Sequence, residues 1–267
     1  MQPDIDRITR LLEEAAAEEI VPRFRSLADG EIRRKQGGEV VTVADEATEA
    51  RLSVALGDLM PGSTVVGEEA VAGDPSVLER LSEDRPVWVI DPVDGTANFA
   101  NGIGVFAVML AFLREGEIRA AWIHDPLGDR TAVAEAGEGA WMAGRRLAVA
   151  GPKPLAEMRG TLHASQYATP EMARQVQARR ERLQAIKSLR CAGAEYLRLA
   201  SGEMHFSLFT KMAPWDHAPG NLIHREAGGV ALMLDGRAYD AVQPVEGLLM
   251  APDRASWTVL HDTLFGD

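Results

Sequence analysis

Trp88-Val89-Ile90-Asp91-Pro92-Val93-Asp94-Gly95-Thr96 is the stretch on which the reading of this chain turns. Its aromatic and β-branched start suits a buried strand that delivers Asp91 at its end. Pro92 then forces a turn, and Asp94 comes back three positions after Asp91, with Gly95 giving the backbone room. Two carboxylates thus converge on one small volume. Hard dications take carboxylate and carbonyl oxygens, so Asp91, Asp94 and the Val93 carbonyl could bridge a pair of magnesium ions. Gly95 and Thr96, if they open a helix, would aim N–H groups at a bound phosphate. Taken by itself the stretch reads equally well as a solvated turn.

Three further segments bear on the choice. Val65-Val66-Gly67-Glu68-Glu69 is a second apolar strand ending in acids, and neighbouring glutamates repel unless a cation or solvent separates them; alone, it reads as a strand running out into water. Thr42-Val43-Ala44-Asp45 carries the hydroxyl and acid of a capping box, which accounts for Thr42 and leaves Asp45 open to a structural or a site role. In Pro214-Trp215-Asp216-His217-Ala218-Pro219-Gly220, Asp216 is placed to cap the following helix, and a capping carboxylate can also coordinate a metal through its other oxygen.

As a set these segments resemble the inositol monophosphatase family of lithium-sensitive, magnesium-dependent phosphatases. The resemblance is carried by Gly67-Glu68-Glu69, by Trp88 through Thr96 with Asn98-Phe99, and by Pro214-Trp215-Asp216 with Glu226-Ala227-Gly228-Gly229, in that order and spacing. Weaker matches at Val41–Asp45 and from Asp125-Pro126 to Gly137-Glu138-Gly139-Ala140 extend it over most of the chain. The resemblance implies a layered α/β/α/β/α sandwich of the inositol monophosphatase and fructose-1,6-bisphosphatase type, usually a homodimer, holding two or three magnesium ions. It implies Glu68, Asp91, the Val93 carbonyl, Asp94 and Asp216 as metal ligands and Glu69 as an outer contact through water. Thr96 and Asp45 would orient and deprotonate the attacking water, and the Gly95 and Thr96 amides would hold phosphate oxygens. The substrate pocket departs from the pattern. Inositol-specific relatives carry an acid for the sugar hydroxyls where this chain has Phe209, and a Gly-Ser/Thr-Ala segment where it has Arg190-Cys191-Ala192. Arg190 either grips a second anionic group by its planar fork or, the preferred expectation, pairs with Glu195 at the surface.

The chemistry points the same way. A phosphate monoester dianion repels hydroxide, so its hydrolysis is slow unless cations neutralise the oxygens and make hydroxide available near neutral pH. Carboxylates gathered without such cations would only add repulsion. The scattered histidines offer no HExxH or other close ligand pair, which argues against zinc, though His217 beside Asp216 is a neighbour to watch. Neither a Gly-x-Ser-x-Gly elbow nor a Walker or Gly-x-Gly-x-x-Gly loop is present.

Composition sets the outer bounds. With 267 residues, 46% of them hydrophobic, the chain can bury a sizeable core. Forty acidic residues against 28 basic give a net charge of -12, which repels nucleic acid and anionic membranes, so a phosphorylated metabolite needs cations at its site. The single cysteine, Cys191, suits a reducing compartment, and neither a signal-like start nor a bilayer-length apolar run is seen; a soluble cytoplasmic protein is expected. Helical spacing is predicted over residues 5–20 and from Val43 to Leu59, and strands over Ser63–Val66 and Pro86–Ile90. A hairpin of Gly104–Arg114 with Ile118–His124 extends through Thr131–Ala134 and the Gly137–Arg145 stretch. Gly151-Pro152-Lys153-Pro154 divides this half (1–150) from one (151–267) read as α/β. That half has strands at Thr161–Ala164, Met204–Phe209 and Val230–Leu234, and helices from Thr169-Pro170-Glu171, over Ala194–Ala200, from Asp216 to Ala227 and from Pro252. Besides inositol, sugar or polyol phosphates, histidinol phosphate, fructose bisphosphate and adenosine bisphosphate are open as substrates, as is a non-catalytic regulatory role.

Overall fold

A computed structural model describes residues 2–163, 168–242 and 247–266. Ile8, Leu12 and Ala15 form the buried stripe of helix α1 (Ile5–Ala15), which Asp4 opens by accepting the Arg7 N–H, and a wider turn over Ala16–Ile20 carries the stripe to Ile20. A short hairpin of β1 (Ile32–Arg34) and β2 (Val40–Thr42) precedes α2 (Val43–Leu59), which starts at the expected capping box. Next come β3 (Thr64–Gly67), α3 (Glu68–Gly73), β4 (Val87–Asp94) and α4 (Thr96–Ala100). The meander is β5 (Ala107–Arg114), β6 (Glu117–Asp125), β7 (Arg130–Glu135), β8 (Gly139–Met142) and β9 (Arg145–Arg146). These strands make a seven-stranded sheet in the order β3-β4-β5-β6-β7-β8-β9, parallel only between β3 and β4.

The second sheet is built from β10 (Arg159–Leu162), β11 (Gln184–Ile186), β12 (Phe206–Phe209), β13 (Val230–Met233) and β14 (Leu248–Ala251), in the order β11-β10-β12-β14-β13. Its helices are α5 (Pro170–Arg179), α6 (Ala192–Ala200), α7 (Pro214–Glu226) and α8 (Arg254–Phe265). The strand expected over Thr161–Ala164 stops at Leu162, and Ala164 lies outside the described residues. Helix α7 starts at Pro214 rather than Asp216, because proline's missing N–H costs nothing in a first helical turn. Ala213 occupies the cap position with no side-chain bond, so Asp216 does not cap this helix and its carboxylate is left for other work.

Alternation along the strands sets the layers. Trp88, Ile90, Val108, Leu110 and Phe112 face α1 and α2, whereas Met109, Ala121 and Ile123 face α6 and α7. Leu222 and Ile223 of α7 share that second core with Met233, Leu248 and Met250 of the five-stranded sheet. On the outer face of the latter, Met172 and Val176 of α5 and Trp257 and Leu260 of α8 cover Phe206, Leu208 and Leu249. The result is the expected α/β/α/β/α sandwich, with α6 and α7 as its central layer. No helix among the described residues is long and apolar enough to cross a membrane.

Candidate active site

Glu68, Asp91 and Asp216 each offer a carboxylate oxygen within 4.8 Å of the others, and no histidine or cysteine takes part. Strand β4 does not end at Ile90 as expected; it runs on through an irregularity. Asp91 pairs with Met109 of β5 and Asp94 with Ala107, so three steps on β4 are matched by two on its partner. Residues three apart would normally point to opposite faces, but one extra residue returns both acids to the same face. Pro92, which has no N–H to contribute to a ladder, suits that irregular spot. This is the face of Val89, which packs with Trp215 and Ala218 of α7, and so Asp91 meets Asp216.

Glu68 is aimed by a residue the sequence reading missed. Buried Glu49 of α2 accepts the Glu69 and Ala70 N–H groups, both at 2.8 Å, and so holds the start of α3. Gly67 is required there because a Cβ would stand 2.2 Å from the Glu49 carboxyl carbon. Gly67→Ala should push Glu49 off both amides, move Glu68 and weaken binding of a divalent cation by the acidic cluster about tenfold or more, as loss of orienting contacts does at metal sites; titration calorimetry measures it.

Burial raises the pKa of Glu68, Asp91 and Asp216, and for Asp91 the charges of Glu68, Asp94 and Asp216 add to the rise. Two lysines relieve part of this repulsion. Lys35 Nζ, from the β1–β2 turn, lies 2.7 Å from both Glu68 Oε1 and Glu69 Oε1. Lys211 Nζ lies 3.0 Å from Glu39 Oε1 and 3.5 Å from Asp216 Oδ2. Burial opposes the charge on each ammonium, but the acids outweigh it and raise both pKa values. A bowl of hard oxygen donors that already draws two ammonium groups to its rim is the kind of donor set a hard dication requires.

Beside the bowl, Asp45 divides its two oxygens between the capping box and Thr96. Its Oδ2 accepts from Thr42 N (2.9 Å) and Thr42 Oγ1 (2.6 Å), completing the capping box, while Oδ1 lies 2.9 Å from Thr96 Oγ1. Burial raises the Asp45 pKa to about 6 against these hydrogen bonds. Thr96 Oγ1 is also 2.9 Å from the Val93 carbonyl and, having one proton, donates to one acceptor at a time. Gly95 has φ 87° and leads into α4; a Cβ there would stand 2.9 Å from the Val105 carbonyl.

Comparison with known proteins agrees with this geometry. The profile described as "Inositol monophosphatase family" matches residues 3–264. The chain belongs to the inositol monophosphatase family. It is 32% identical over 218 residues to the inositol-1-monophosphatase of Mesorhizobium japonicum, covering 80% of this chain and 79% of that one. To the fructose-1,6-bisphosphatase/inositol-1-monophosphatase of Thermotoga maritima it is 26% identical over 211 residues, 79% and 78% of the two chains. A solved Thermotoga maritima IMPase superposes with a TM-score of 0.80 at 23% identity, covering 97% of this chain and 96% of that one. As a member of the inositol monophosphatase family the chain is a phosphoric monoester hydrolase of a metal-dependent kind.

The remaining expected site residues fall as follows. Asp94 is close enough to Asp216 for its charge to matter, but its Oδ2 turns to Cys191 Sγ (3.0 Å) and Gly193 N (2.5 Å), and the Ala192 amide is a further donor to it. Burial raises Asp94 to about 6. Glu69 is raised to about 7 by burial despite its bond to Lys35. Phe209 is 3% exposed, stacked between Tyr196 and His163 with centroids 5.0 Å away on either side. It leaves little surface for a ligand. The expected Arg190–Glu195 pair is absent: Glu195 is fully buried and its oxygens are taken by Thr161, His163, Ser188, Ser207 and the Leu189 amide. His217 is also buried, tied to Tyr196 and the Lys211 carbonyl, and burial lowers it to about 3. It is thus a neutral, hydrogen-bonded packing group beside Phe209.

Proposed function

We propose that this chain is a magnesium-dependent phosphomonoesterase of small organic phosphates, cytoplasmic and homodimeric, with water as the nucleophile. The observation that carries the reading is the meeting of Glu68, Asp91 and Asp216 from three separate elements beside the Thr96–Asp45 pair. Magnesium held by these acids, with the Val93 carbonyl and Asp94 as further donors and Glu69 reached through water, would neutralise phosphate oxygens and lower the pKa of water. The chain's own groups do the rest. Thr42 pins Asp45 through Oδ2, so Oδ1 keeps its aim at Thr96. By donating to Asp45, Thr96 Oγ1 turns a lone pair outward to accept a proton from water, and Asp45 receives the relayed proton. The Gly95 and Thr96 N–H groups, at the start of α4, hold phosphate oxygens for in-line attack.

Phosphate release from a panel of metabolite monophosphates and bisphosphates, with magnesium, with EDTA and with lithium, tests the assignment. Turnover should vanish on chelation and fall with lithium, and Asp45→Asn should lower kcat by about 10²–10⁴. Turnover that continues unchanged in EDTA would sink the metal assignment.

A further inference from the structure

Behind Phe209 lies a polar cluster that the hydrolytic step does not use. Glu195 of α6 has no exposed surface, and its carboxylate is saturated. Oε2 accepts from Thr161 Oγ1 (2.5 Å), Ser207 Oγ (3.1 Å) and His163 Nε2 (2.7 Å), and Oε1 from Ser188 Oγ (3.1 Å) and Leu189 N (2.9 Å). Burial works against its charge, but the bonds led by that from His163 outweigh it and lower its pKa. A charged acid in the interior with five donors around it holds those donors in place.

Two of the groups it holds point outward. His163 has its Nε2 on Glu195 and its ring stacked on Phe209, yet a quarter of its side chain is exposed. Arg190 donates its N–H to Ser188 Oγ at 3.0 Å, and that same oxygen lies 3.5 Å from His163 Nε2. The guanidinium is exposed, with no ion pair to a described residue. Its φ of 55° is a left-handed backbone that glycine adopts freely and arginine at a cost. The segment is also tied to the phosphate cradle: Asn98 Nδ2 of α4 donates to the Leu189 carbonyl (2.9 Å), and Cys191 Sγ bonds Asp94.

Resting on the phosphatase reading for the first phosphate, we propose that His163 and Arg190, gathered at Ser188 by buried Glu195, form a second anion subsite beside the cradle. The favoured substrate is then a phosphomonoester that carries a further carboxylate or phosphate. Arginine supplies the fork that such groups match, and histidine a fixed second donor when protonated.

Matched ligand pairs test this by binding, in magnesium, to full-length protein carrying Asp45→Asn to suppress turnover. Glycerol 2-phosphate and 2-phosphoglycerate differ by a carboxylate; fructose 6-phosphate and fructose 1,6-bisphosphate differ by a phosphate. Calorimetry should show the more anionic member of at least one pair binding about tenfold or more tightly, as a charge-assisted contact gives, and the responding pair identifies the group. Arg190→Gly removes the guanidinium where glycine fits the backbone, so its melting temperature should stay near the parent's; it and His163→Gln should each shrink the ratio severalfold. Ratios near one for both pairs, or ratios that survive both substitutions, would overturn the subsite. Phosphate release from the panel by unaltered protein judges the phosphatase reading separately.

Discussion

Asp91→Asn should reduce phosphate release by about 10³ or more while leaving the metal-free fold at least as stable as the parent. The two halves of this expectation have one cause. Asp91 is 2% exposed, and burial together with Glu68, Asp94 and Asp216 raises its pKa far above the ordinary value. In the absence of metal that charge is a burden. Asparagine keeps the shape and the oxygen that accepts the Val93 N–H at 3.1 Å, yet removes the repulsion. With magnesium the sign should reverse, because on the proposed assignment the substitution removes one of the three carboxylates that would hold the ion. Forfeiting about 4 kcal/mol of transition-state stabilisation corresponds to about a thousandfold in rate. Thermal melts and kcat measured with and without magnesium check both halves: the variant should melt no lower than the parent in EDTA and lose the upward shift on adding magnesium. An unchanged magnesium shift, or activity within tenfold of the parent, would contradict the placement of Asp91.

Much of this was legible in the sequence because short-range rules wrote it there. Apolar spacing marked α1, and Thr42 with Asp45 marked the start of α2. Apolar runs ending in acids marked β3 and β4, although β4 runs past the predicted end, since a proline can sit in a strand where the ladder slips. What escaped depends on distance in the chain. Lys35 and Glu39 sit in a turn with nothing local to single them out, and Lys211 reads as any surface lysine until α7 brings Asp216 beside it. Glu49 looks like an ordinary helical glutamate; its partners are twenty and twenty-one positions away. Glu195 shows the opposite error. Its place five residues after Arg190 suggested a surface pair, whereas the α6 face that carries it turns toward β10 and β12. Pairing rules for exposed helices fail once one partner is buried with better donors.

Removing the metal should also invert the usual pH dependence of stability. Asp45 titrates at about 6 in the fold against an ordinary 3.8, Asp94 at about 6 against 3.8, and Glu69 at about 7 against 4.5, each because burial disfavours the charged form. For an acid whose folded pKa is raised, the fold holds a proton that the unfolded chain has released, so stability declines as pH rises between the two values. The window therefore opens near pH 4 and closes near pH 7. For Asp45 alone, titrating at about 6 rather than 3.8 costs about 3 kcal/mol above the window. Glu68, Asp91 and Asp216 shift in the same direction, and Lys35 and Lys211 offset only part of the repulsion. On the proposed assignment magnesium would bind the deprotonated carboxylates, so its stabilisation should grow with pH through the same window. Melting temperatures in EDTA should thus fall between pH 5 and pH 8, most steeply below pH 7, with the gap to the magnesium-loaded protein widening as they fall. A metal-free protein more stable at pH 8 than at pH 5 would mean that these acids do not meet in one buried bowl.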